Sequence, residues 1–120
     1  MSGDRSVLIV GAGIGGLTLA IALARHGIPS RVLERRQELT EAGAGIQLGP
    51  NAVGVLTRLG VAHRLEPVVG KPTCLRVYDG TSDKLLAELP LGEWIAERHG
   101  SPYWVAHRAD LHAALRETAR

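Results

Sequence analysis

An α/β fold opening on a Rossmann-like βαβ unit is what this sequence predicts, and three observations carry the prediction. A short apolar run, Val7–Val10, leads straight into Gly11-Ala12-Gly13-Ile14-Gly15-Gly16. An uncharged, largely apolar stretch follows and is stopped by Gly27 and Pro29. A second short run, Arg31–Leu33, then ends on the acid Glu34. Strand, glycine turn, helix, strand and an acid about 20 residues on are the parts of a first βαβ unit, in order.

Each part has a physical task. Gly11 permits the tight turn off the strand, and Gly13, lacking a Cβ, lets a pyrophosphate approach the backbone. Gly16 allows the helix to lie close to the sheet. Unpaired N–H groups at the helix start, with the positive end of the helix dipole, favour phosphate. Glu34 stands where a carboxylate can accept hydrogen bonds from an adenosine ribose. The implied ligand is a dinucleotide. The helix is expected over Ile14–His26, apolar nearly all round through Leu17, Leu19, Ile21 and Leu23, and therefore buried against a sheet. Arg31 occupies a strand position that is usually apolar, which suggests an edge or an early exit.

Beyond Glu34, Gln37–Gly49 reads as a loop with a second glycine cluster. Pro50 suits the first turn of a helix whose inner stripe is Val53, Leu56 and Leu59, ended by Gly60. A short helical piece, Val61–Leu65, follows. Leu75–Tyr78 and Lys84–Leu89 flank the turn residues Asp79–Asp83 and predict a β-hairpin, which has no place in a simple Rossmann repeat. Trp94–His99 stays open between a helical turn and a loop. Ala109–Arg120 is expected to be a last helix, with Asp110 in its first turn and Leu111, Ala114, Leu115 and Thr118 on one side. The last helix runs to the end of the chain without a stop signal, and only two strands of the expected parallel sheet are present. The expectation is a partial domain: residues 1–72 and 100–120 forming a nucleotide-binding part, and residues 73–92 a hairpin belonging to another sheet.

Composition narrows the function classes. The 120 residues suffice for one modest domain. Net charge is +2, and Arg35-Arg36 is the sole adjacent Lys/Arg pair, so there is no nucleic-acid footprint. A single cysteine, Cys74, excludes an internal disulfide and any Cys-based metal spacing. His107 and His112 are five apart, off one helical face, and make a poor metal pair. His26, His63 and His99 read as surface groups, and Trp94, Tyr103 and Trp104 as packing. Val7–Ala24 carries no charge and could pass for a signal peptide or a marginal membrane span. The four glycines packed into Gly11–Gly16 argue against a continuous helix, and neither rival accounts for the strand ending on Glu34. A soluble cytoplasmic protein without stable membrane insertion is expected.

Three motifs together resemble one family. They are Gly11–Gly16 with Glu34-Arg35, then Gly43-Ala44-Gly45-Ile46-Gln47-Leu48-Gly49-Pro50-Asn51-Ala52, and finally His107-Arg108-Ala109-Asp110-Leu111-His112. The chain resembles the N-terminal part of the FAD-dependent aromatic hydroxylases, the single-component flavoprotein monooxygenases of the salicylate hydroxylase and 3-hydroxybenzoate 6-hydroxylase type. The first motif is shared by many FAD and NAD proteins; the second is more particular to this branch.

The resemblance implies roles by position. Gly11, Ala12, Gly13, Ile14, Gly15 and Gly16 would hold the FAD pyrophosphate. Glu34 would bind the adenosine ribose, with Arg35 near the adenine. Ala44, Gly45 and Gln47 would run beside the ribityl chain, and Arg108 would reach a phosphate or ribityl oxygen. The hairpin would be the first contribution to an antiparallel substrate-domain sheet. The implied reaction reduces FAD with NADH or NADPH, forms a flavin hydroperoxide with O2 and hydroxylates a small phenolic substrate; the cofactor carries the difficult chemistry. The chain departs from the family in lacking the later Asp-Gly and Gly-Asp motifs. It also has Gln47 where some relatives carry a catalytic histidine, so no catalytic residue is assigned. Two other readings stay open: an NAD-dependent Rossmann dehydrogenase module, and a non-catalytic fragment. The second glycine loop, Gly43–Ala52, discriminates against the dehydrogenase, which has no need of it. Glu34 disfavours NADP, whose 2′-phosphate would meet a carboxylate.

Overall fold

Four apolar residues, Val7–Val10, form strand β1, and the computed structural model, which describes residues 5–37 and 43–120, runs it directly into the glycine turn. Helix α1 (Ile14–Arg25) returns the chain, and strand β2 (Ser30–Leu33) lies parallel to β1, with Val7 opposite Ser30 and Val10 opposite Leu33. Parallel pairing with an intervening helix completes the βαβ unit. Gly27, at φ +69°, sits just past the helix in the left-handed region where glycine is favoured. Burial along α1 is narrower than its composition suggests. Leu17 and Ile21, four apart, make the buried stripe, whereas Leu19 on another side is 46% exposed.

The sequence reading of Gln37–Gly49 as loop needs correction over its second half. Residues 38–42 lie outside the described part, but Gly45–Leu48 forms strand β3. Leu48 is buried and Ile46 half-buried while Gly45 and Gln47 face outward, the period-two alternation of a strand with one covered face. Glycine content hid this pattern. Helix α2 (Pro50–Arg58) begins at the expected proline and buries Val53 and Leu56, with Leu59 half-buried just beyond it. A short helix, α3 (Ala62–Leu65), leads into a single 3₁₀ turn at Glu66–Val68.

The predicted hairpin is present. Strands β4 (Cys74–Tyr78) and β5 (Leu85–Pro90) pair antiparallel, with an irregularity between Val77 and Tyr78. The Asp79 carboxylate closes the turn by accepting the N–H and hydroxyl of Thr81 at 2.8 and 2.7 Å. Both faces of the hairpin are open, and every residue of β5 is exposed. Trp94–His99, open between helical turn and loop in the sequence, lies in helix α4 (Gly92–His99), ended by Gly100 at φ +77°. Trp94 is half exposed and carries the Arg98 guanidinium 5.5 Å from its ring centroid, so it is not a core residue.

The sequence reading gave no strand before the last helix, yet Trp104–His107 forms β6, antiparallel to β3 with Leu48 opposite Trp104 and Gly45 opposite His107. Trp104 and Val105 favour strand, but the run is only four residues long and Ala106 weakens it. Tertiary pairing decides it. Helix α5 (Arg108–Ala119) follows without a break and packs along α1. One hydrophobic core joins these pieces: Leu17 and Ile21 of α1, Val53 and Leu56 of α2, Val61 and Leu65 around α3, Trp104 of β6, and Leu111 and Leu115 of α5. The core thus clamps the two glycine segments from behind while leaving their outer surfaces open.

Candidate functional site: two glycine segments joined by the last helix

The glycines of the first turn divide into two kinds. A Cβ at Gly16 would overlap the Gly11 carbonyl oxygen and crowd Ile9 Cγ2 at 3.3 Å, so packing of α1 onto β1 demands glycine there. Gly11 holds φ +106°, a conformation that side chains resist. Gly13 is different. It is the N-cap of α1 with an ordinary φ of −77°, and a Cβ built on it would meet nothing within 4 Å. Gly15, next to Ile14 in the first turn of the helix, also faces open space. Neither backbone angle nor packing therefore requires glycine at 13 or 15, although glycine is also a favoured N-cap residue at 13; both positions leave the backbone open to approach from outside the chain. The start of α1 has no side-chain cap and no acid in its first turn, so its amides and dipole are offered outward.

Glu34 follows β2 and reaches back to this turn. Its Oε2 accepts the Ala12 N–H at 2.9 Å, and its Oε1 accepts the Arg36 N–H at 3.1 Å. The Ala12 bond, then the Arg36 bond, hold the carboxyl below the usual carboxylate range, keeping it charged beside the turn. Arg35 is exposed next to it. Glu34 and the first glycine cluster are thus brought together.

The second cluster is organised by β3, β6 and α5. Gly45 and Gln47 lie outward on β3, and Ala44 accepts the Arg108 N–H at 3.3 Å. The aliphatic part of Arg108 lies over Gly43, where a Cβ would come within 3.2 Å of Arg108 Cδ. Glycine at 43 makes room for the arginine, so Arg108 and the Ala44–Gln47 segment are brought together.

One residue at the centre of the site was read only as half of a poor metal pair. His112, 4% exposed, places Nε2 2.8 Å from the carbonyl oxygen of Ala12. It stands four residues after Arg108, on the same face of α5. That spacing, with burial among Leu111 and Leu115, was the available signal. No group of three or more His, Cys, Asp or Glu suited to a metal occurs among the described residues. No helix among the described residues is long and apolar enough to cross a membrane.

A parallel βαβ unit with an outward-facing glycine turn and an acid at the end of its second strand defines a dinucleotide-binding domain. Residues 4–115 match the family described as FAD binding domain, and the chain belongs to that family. The match favours FAD over NAD at this turn. The chain is 47% identical over 113 residues to 3-hydroxybenzoate 6-hydroxylase 1 of Aquipseudomonas alcaligenes, covering 94% of this chain and 29% of that protein. It is 41% identical over 117 residues to 3-hydroxybenzoate 6-hydroxylase of Polaromonas naphthalenivorans (strain CJ2), covering 98% and 29% respectively. Among solved structures, Klebsiella pneumoniae HpxO complexed with FAD and uric acid superposes with a TM-score of 0.79 at 30% identity, over 98% of this chain and 31% of that one. The chain spans about 29% of the length of these curated relatives.

Proposed function

We propose that these residues are the FAD-binding front of an aromatic-ring monooxygenase that uses NADH or NADPH and O2 to hydroxylate a small hydroxybenzoate- or salicylate-like phenol. The open N-cap at Gly13 carries the reading. It is a glycine that neither backbone angle nor packing requires, at the start of an uncapped helix. A pyrophosphate laid against Gly11, Ala12, Gly13, Ile14, Gly15 and Gly16 fits this open, uncapped turn. The names of the hydroxylases at 41–47% identity support the substrate class.

Within this reading Glu34 binds the adenosine ribose and Arg35 lies near the adenine. Ala44, Gly45 and Gln47 line the ribityl chain, and Arg108, held over Gly43, faces a phosphate or ribityl oxygen. Bound FAD supplies the electron transfer and oxygen activation. The chain's own residues bind and orient it. Residues 1–72 and 100–120 form the nucleotide-binding part, and residues 73–92 open the substrate-domain sheet. Support for that division comes from the hairpin's two uncovered faces, with Leu86 65% and Leu89 54% exposed. Turnover requires further segments of the kind the relatives possess. A cytoplasmic setting suits a nicotinamide-dependent enzyme with a lone cysteine.

The test is to purify the full gene product and record its flavin absorption band, then follow NADH and NADPH oxidation with 3-hydroxybenzoate or salicylate added. A yellow protein whose oxidation rate rises with one of these phenols is expected. A colourless protein, or one indifferent to every phenol, would refute the proposal.

A further inference from the structure

We infer that His112 is a positioning residue that fixes the phosphate-facing turn, and that α5 uses it together with Arg108 to hold the two glycine segments in register. The inference rests on the FAD reading above and adds a residue and a device to it.

Ala12 is gripped through both of its backbone polar groups. Its N–H is donated to Glu34 Oε2 at 2.9 Å, and its carbonyl oxygen lies 2.8 Å from His112 Nε2, a contact spanning 100 residues of chain. A carbonyl oxygen only accepts, so the histidine carries a proton on Nε2 and donates it. Ala12 is 5% exposed, and its carbonyl stands outside the ladder of α1, whose first bond runs from the Leu17 N–H to the Gly13 carbonyl. Without His112 that buried acceptor would have to turn toward another donor. The neighbouring residues, Gly11 and Gly13, are the two most able to let it turn.

Four residues earlier on the same face of α5, Arg108 reaches the other segment. Its N–H is donated to the Ala44 carbonyl at 3.3 Å and its side chain covers Gly43. Residues four apart on a helix are neighbours on one face. The first two turns of α5 therefore act as a rigid spacer, with His112 on the pyrophosphate turn and Arg108 on the segment proposed to line the ribityl chain. Fixing their separation beforehand lowers the cost of binding a cofactor that bridges both segments.

The test compares His112→Gln and His112→Leu in the full gene product. Glutamine can bring an amide N–H to about the place of Nε2; leucine fills the buried space and donates nothing. FAD dissociation constants come from flavin fluorescence titration of apoprotein, with thermal melting of the same apoproteins alongside. We expect His112→Leu to weaken FAD binding about tenfold, as for a buried acceptor left unmade, and His112→Gln to stay within about threefold of wild type. Equal affinity in wild type and His112→Leu would overturn the positioning role. Equal loss in both variants would overturn it too, because packing and not the donated bond would then be the cause. If His112→Leu fails to fold, His112→Gln decides: retained affinity supports the donor role and tenfold loss overturns it. A wild-type protein that takes up no FAD would sink the flavoprotein reading itself, a result distinct from these.

Discussion

Glu34 and Ala12, 22 residues apart, are joined by a 2.9 Å hydrogen bond that ties the end of one parallel strand to the turn leaving the other. The bond gives Glu34 two jobs. It braces the turn, and it keeps a charged carboxylate at its edge, because accepting the Ala12 N–H and then the Arg36 N–H holds the group below its ordinary range.

A lowered folded-state pKa means that this bracing is fully present above the unfolded carboxylate value and is lost as pH falls through the folded one. Acidification below about pH 4 should therefore loosen the turn. Thermal melting of wild type and Glu34→Gln from neutral pH down to about pH 3 checks this, the wild type losing more than the variant on the acid side. Parallel curves would show that the Ala12 bond does not couple to folding.

The same residue should matter to the ligand. Glu34→Ala is expected to weaken FAD binding by about ten- to a hundredfold in the full gene product, as for the loss of a charged hydrogen bond. Isothermal titration with FAD measures it. Unchanged affinity would remove Glu34 from the site and leave it only the brace.

Gly13 and Gly16 should fail in opposite ways. A side chain at Gly16 collides with the backbone of Gly11, so Gly16→Ala should cost about 3 kcal/mol of stability, the upper part of the range for overpacking. A Cβ at Gly13 meets nothing within 4 Å at an ordinary φ, so Gly13→Val should fold with only a modest loss of about 1 kcal/mol, for a poor N-cap residue, while FAD binding is abolished. Denaturant melts paired with flavin retention separate the two. A yellow, active Gly13→Val protein would mean that nothing approaches the backbone there.

How far the sequence could be read depended on which signal was local. The βαβ unit was legible because turn, helix stop and terminal acid each leave a residue-level mark: Gly11–Gly16, Gly27 and Glu34. The hairpin was legible through Asp79–Asp83. Strands β3 and β6 were not, because each is only four residues long and is formed by pairing with the other across more than 50 residues; Ile46, Trp104 and Val105 favour strand, but runs this short do not specify one locally. Missing that pair also hid what α5 does. With Trp104–His107 read as plain chain, nothing placed the start of the helix against Ala44, and His112 was weighed against His107 and not against Ala12. The site's backbone pieces could be inferred one at a time; the helix that ties them together could not.

The core under that helix supplies the last prediction. Leu115 has no exposed surface and sits where α5 packs along α1, in the cluster that also holds Leu17 and Ile21. Leu115→Ala should cost about 2–5 kcal/mol, the transfer term plus the cavity left between two helices that cannot fully collapse. Leu86, on the uncovered hairpin, is a matched control at 65% exposure, and Leu86→Ala should change stability by no more than about 0.5 kcal/mol. Both variants are compared by urea unfolding of these 120 residues if they fold alone, and otherwise of the full gene product. In the full product the control becomes informative in its own right. A large loss at Leu86 there, with none in the isolated residues, would mean that the hairpin is covered by later parts of the chain, as its proposed place in a second sheet requires. A large loss at Leu86 in the isolated residues would contradict the open hairpin described above.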